Sequence, residues 1–105
     1  PGTFFPLIGV DLDSDGILMA RVSASALLSF GIICYVVRKE LLGSVAMQAI
    51  LVGNLVFHAL DAMSTFFATT NGVMNAFGWF FCGLHFVLAL AFLYYFVKSR
   101  SAIAK

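Results

Sequence analysis

Apolar residues run along this chain in three long blocks separated by short polar links, and none of the blocks alternates with the period of a strand. They predict spans at about residues 17–37, 44–68 and 76–97, each about 20–25 residues and enough to cross ~30 Å of hydrocarbon. Backbone groups in lipid must be paired internally, so blocks without strand alternation are helices. The links are RKELLG and TTNGVMN, the second carrying the Asn71-Gly72 turn signal. Residues 1–16 read as an interfacial segment, because PGTFFPLIGV is apolar but too short to span and holds two prolines. The expected fold class is an all-α integral membrane protein with three transmembrane helices in a single domain.

The middle block breaks its own pattern. Leu51–Thr70 carries Asn54, His58, Asp61 and Thr65, which fall within about 60° of one helix face at 100° per residue. Polar groups inside a membrane helix are expensive unless something satisfies them. That stripe is the first candidate for function.

Composition strengthens the membrane reading. Of the 105 residues, 62% are hydrophobic and 10% charged, with a mean hydropathy of +1.03; soluble domains run near a quarter charged. No stretch is left over for a separate soluble core. The net charge of +1 comes without a basic run, so nucleic acid is not an expected partner. The first residue is Pro1, from which a mature or truncated product is expected.

Charge also sets an expected orientation. Arg38 and Lys39 lie in the first link, and Lys98, Arg100 and Lys105 follow the third span. In a three-span chain those regions share a side, which the positive-inside rule makes cytoplasmic or stromal. The N-terminus then faces the periplasm or lumen. Trp79, Phe80 and Phe81 near the outer surface, and Tyr35, Tyr94 and Tyr95 near the inner one, agree with these boundaries.

Asp11, Asp13 and Asp15 in DLDSDG resemble the opening of an EF-hand loop, but Val22 stands where the loop needs its glutamate. A turn that caps the first span is expected instead. Cys34 and Cys82 sit about 16 Å apart in depth, too far for a disulfide. Ser23, Ser25, Ser29 and Gly31 give the first span small residues for close helix packing. The twelve phenylalanines supply a broad surface for lipid or pigment.

Depth sorts the polar residues into two pairs. Arg21 and Asp61 fall at similar depth in the outer half of neighbouring antiparallel spans. An ion pair between them would offset two charges that each cost about 2.5–3.5 kcal/mol to insert. His58 and His85 both lie roughly 14–15 Å from the outer surface, near the midplane. A histidine there can bond across helices, ligate the magnesium of a chlorophyll, or share a haem b with its counterpart. Gly78, Cys82, Gly83 and Ala89 leave room around His85.

The segments LMARVSASALLSFGI and MNAFGWFFCGLHFVLALAFLYYF resemble small, uncharacterised bacterial-type membrane proteins of four spans, with the first helix missing or cleaved here. That resemblance implies a fold and no activity. The intramembrane histidines, aromatic content and processed start also resemble an accessory subunit of an algal photosystem. No nucleophile–base set, P-loop, HExxH or CxxC is present. The expected function is therefore a non-catalytic accessory subunit of a larger membrane complex, with other membrane subunits, lipids and pigments as partners. A photosystem is the candidate complex, with chlorophyll on His58 or His85, in a thylakoid or bacterial inner membrane. The alternatives are a haem b anchor of a respiratory enzyme and a small transporter using Asp61.

Overall fold

A computed structural model describes residues 1–103, which are helical with no strand. A short 3-10 turn, Phe5–Ile8, precedes three α-helices: α1 (Ser14–Val37), α2 (Val45–Thr70) and α3 (Phe77–Ile103). Each is long and apolar enough to cross a membrane. Arg38 and Lys39 after α1 and Lys98 and Arg100 near the end of α3 mark the basic end of the bundle. The opposite end carries the N-terminal segment and the α2–α3 loop.

Local chemistry explains the helix starts. Asp13 Oδ1 accepts a hydrogen bond from the Gly16 N–H at 2.7 Å, so the acidic turn is a cap. That cap begins α1 at Ser14 rather than near 17. Ser44 Oγ accepts from the Met47 N–H at 3.2 Å and starts α2. Asn75 Oδ1 accepts from the Phe77 N–H at 3.0 Å where α3 begins. α3 continues to Ile103 instead of ending near 97, because Lys98 and Arg100 are good helix formers past the apolar run.

Packing is uneven. α2 and α3 form a tight antiparallel hairpin, whereas α1 meets α2 along only a short stretch. At the loop end of the hairpin, a Cβ on Gly78 would run into Thr69 Oγ1. One turn further in, Phe66 and Trp79 meet edge to face at 5.7 Å. The α1–α2 contact lies toward the basic end, where Phe30 packs against Gly53 and sits 6.5 Å from Phe57. Beyond it, Asn54 Nδ2 reaches Cys34 Sγ at 3.5 Å. No residue of α1 is buried. Cys34 and Cys82 are both free thiols.

The N-terminal segment is fastened to the hairpin loop. The Asn75 N–H donates to the Ile8 carbonyl at 2.9 Å, and Asn75 Nδ2 donates to the Leu7 carbonyl at 3.0 Å. Gly9 turns the chain away at φ 81°, a conformation that side chains disfavour. Phe4 touches Phe81 on α3, with rings 6.2 Å apart. Ile8, Leu51 and Ala89 are the buried apolar residues among those described. Large apolar side chains face outward on every helix, as expected where lipid or another protein is the solvent.

Gly78 and Gly83 should respond oppositely to the same substitution. Gly78→Ala must displace Thr69, whose hydroxyl bonds the Thr65 carbonyl at 2.7 Å, and should destabilise the hairpin by about 1–3 kcal/mol. A Cβ on Gly83 meets open space, so Gly83→Ala should be neutral or stabilise by up to about 1 kcal/mol. Reversible unfolding of the two variants in mixed micelles, followed by circular dichroism, measures both.

Candidate functional site

The polar stripe of α2 does not act as one unit. Asn54 serves the α1 contact and also donates to the Ile50 carbonyl at 2.9 Å. Thr65 Oγ1 donates to the Asp61 carbonyl at 2.7 Å, inside its own helix. His58 and Asp61 point into the seam with α3. There His58 Nδ1 and His85 Nδ1 are 2.8 Å apart, and His85 Nε2 lies 3.7 Å from Asp61 Oδ2. Three ionisable side chains thus form a line, Asp61–His85–His58.

The two expected partners His58 and His85 are brought together at one level of the hairpin. Spacing explains it: His58 lies thirteen residues before Asn71 and His85 thirteen after Gly72, at the turn between α2 and α3, and antiparallel helices match such positions. Aromatic rings hold them in place. Phe92 stacks on His58 with centroids 5.4 Å apart and planes inclined by 14°. Phe57 meets the edge of His85 at 6.1 Å.

Geometry also selects the proton positions. Two facing nitrogens at 2.8 Å need one donor and one acceptor. A carboxyl oxygen beside His85 Nε2 favours a proton on that nitrogen, which leaves His85 Nδ1 as the acceptor. In that tautomer His58 donates through Nδ1–H, and its Nε2 carries a bare lone pair. A histidine that donates through one nitrogen and offers the other is the usual form of a metal-ligating imidazole. His58 Nε2 has no hydrogen-bond partner among the described residues, and it is the atom that could hold a metal centre.

A haem b shared by the two histidines does not fit this arrangement. The pair is closed to 2.8 Å with no gap for a macrocycle.

Arg21 does not reach Asp61. Among the described residues the one contact between a carboxylate and a basic side chain is Asp61 with His85, and Arg21 is exposed. Register is the reason. The contacts Cys34–Asn54 and Phe30–Phe57 put Leu27 opposite Asp61, and those two line one cavity between α1 and α2. Arg21 then lies about 9 Å closer to the N-terminal end, on a helix already diverging from α2. Sequence reasoning missed His85 as the neighbour of Asp61. The signal was available: Asp61 stands one helical turn from His58, on the same face.

The chain matches no protein-family model, no curated protein and no solved structure. Its function is read from its own geometry.

Two measurements test the seam. Nitrogen NMR of isotope-labelled histidine should find His85 protonated at Nε2 and His58 at Nδ1 near neutral pH. In a double-mutant cycle, His58→Leu and His85→Leu should couple by about 0.5–1.5 kcal/mol, the range for hydrogen bonds between membrane helices. Additive losses would mean that the hydrogen bond contributes nothing to stability.

Proposed function

We propose that the protein is a small non-catalytic subunit of a larger membrane assembly, joined to it through α1. The observation that carries this reading is the state of α1: a helix fit to cross a membrane, with no buried residue and little contact with the rest of the chain. Without a hydrophobic drive in lipid, helices are held by close packing and polar contacts. α1 offers both. Ser25 and Ser29 satisfy their hydroxyls on the Arg21 and Ser25 carbonyls, leaving small residues on the same face as Arg21. Arg21 has no carboxylate partner among the described residues, and a membrane cation of this kind calls for one on a neighbouring subunit or for a lipid headgroup. The basic end of the bundle then lies on the cytoplasmic or stromal side.

A second reading rests on His58. Its bare Nε2 would hold the magnesium of a chlorophyll, with His85 fixing the imidazole through Nδ1. A pigment there would make the host a photosystem, in a thylakoid or comparable bacterial membrane.

Both readings are tested on the full chain, tagged and extracted mildly from its native membrane. Native electrophoresis should place it in a complex, and Ser25→Trp should release it as a monomer while the histidine signals of the hairpin stay unchanged. A chain that is already monodisperse and alone would remove the assembly reading. Pigment absorbance that disappears in His58→Leu supports the second reading, and a colourless complex rejects it.

A further inference from the structure

A cavity of about 400 Å³ opens between the N-terminal segment and the facing surfaces of α2 and α3. Phe5 and Ile8 line it from the N-terminal segment, and Phe81 from α3. Asp61 and His85 meet it on the polar side. A volume of this order, mainly apolar with a few convergent polar groups, is the common form of a small-molecule site. Asp61 is free to engage a ligand, because its side chain is 40% exposed while that of His85 is 19% exposed.

The polar atoms define what fits. Asp61 Oδ2 and His85 Nε2 are 3.7 Å apart, beyond a direct hydrogen bond. One oxygen about 2.8 Å from each would span that gap. His85 Nε2 presents a proton and Asp61 presents an acceptor, so the bridging group must both accept and donate. A ketone gives Asp61 no donor, and an ammonium gives His85 no acceptor. A hydroxyl does both. Water would satisfy the same two atoms, with Thr65 as the one further polar side chain in the lining, while the rest of the wall is apolar. The rings of Phe5 and Phe81 in the lining offer aromatic partners to a ligand held there.

We propose that this cavity binds a small aromatic alcohol, a phenol or quinol, whose hydroxyl donates to Asp61 Oδ2 and accepts from His85 Nε2–H. The N-terminal segment, pinned by Asn75 to the α2–α3 loop, completes the site. This inference is independent of the assembly reading, since it uses only the hairpin and the segment packed on it.

The test uses the full chain in phosphatidylcholine nanodiscs with para-trifluoromethylphenol as the probe, read by fluorine NMR against protein-free nanodiscs. The phenol should show saturable, protein-dependent broadening, and its methyl ether should bind at least about tenfold more weakly, the loss of one buried hydrogen bond. Asp61→Asn should weaken the phenol by about tenfold and leave the ether unchanged. Ala68→Phe, which fills the cavity, should abolish the binding of both. If either variant fails to fold, the comparison of phenol and ether on the wild-type chain still decides. Equal binding of the two, or broadening no greater than in empty nanodiscs, overturns the proposal and leaves water as the only bridge. Competition then separates the sources. Tighter displacement by an isoprenyl benzoquinol than by plain hydroquinone assigns the site to a membrane-borne quinol, and equal displacement assigns it to a small free phenol.

Discussion

The hydrogen bond between His58 and His85 is the interaction on which the hairpin depends. In helices that are apolar all round, burial against lipid cannot set the register, because every face is equally welcome there. A polar side chain can. Once His58 Nδ1 has found His85 Nδ1 at 2.8 Å, the flanking contacts follow at antiparallel spacing. Cys82 Sγ donates to the Ala62 carbonyl at 3.5 Å, Phe66 meets Trp79, and Gly78 closes on Thr69. A slip by one residue would turn the imidazoles out of the seam and leave Asp61 with no polar neighbour on α3.

The same seam explains why Asp61 is both tolerated and accessible. His85 supplies a polar neighbour without forming a closed ion pair, and the 3.7 Å separation leaves the carboxyl facing two cavities. A salt bridge to Arg21 would have consumed it. The splay of α1 thus has two consequences: a carboxyl that stays partly exposed, and a helix with no buried residue. Phe5 lines both cavities, so the N-terminal segment is part of the site's architecture and more than a leader to α1.

Much was legible in the residues, for identifiable reasons. Three apolar runs of spanning length leave helix as the only internally hydrogen-bonded solution. The acidic turn of Asp11, Asp13 and Asp15 announces the start of α1 through local capping chemistry, which Asp13 supplies. His58 and His85 could be matched because a short loop between antiparallel helices makes depth a function of sequence distance from the loop. The same logic failed for Arg21 and Asp61. There the connecting link is followed by helices that diverge, and the register is decided by Phe30 resting on Gly53 and by Cys34 against Asn54. No periodicity carries that information.

The sequence by itself therefore determined the helices, their order, the cap of the first and the level at which the two histidines meet, since each follows from span length, loop length or a contact within a few residues. Only the tertiary structure decided which polar groups touch, where α1 leaves the bundle, and that the N-terminal segment covers a cavity lined by Asp61 and His85. Those outcomes depend on the shapes of side chains far apart in the chain, such as Asn75 bonding Leu7 and Ile8. The polar stripe of Leu51–Thr70 is written in the sequence; its division among α1, α2 itself and α3 is a consequence of packing.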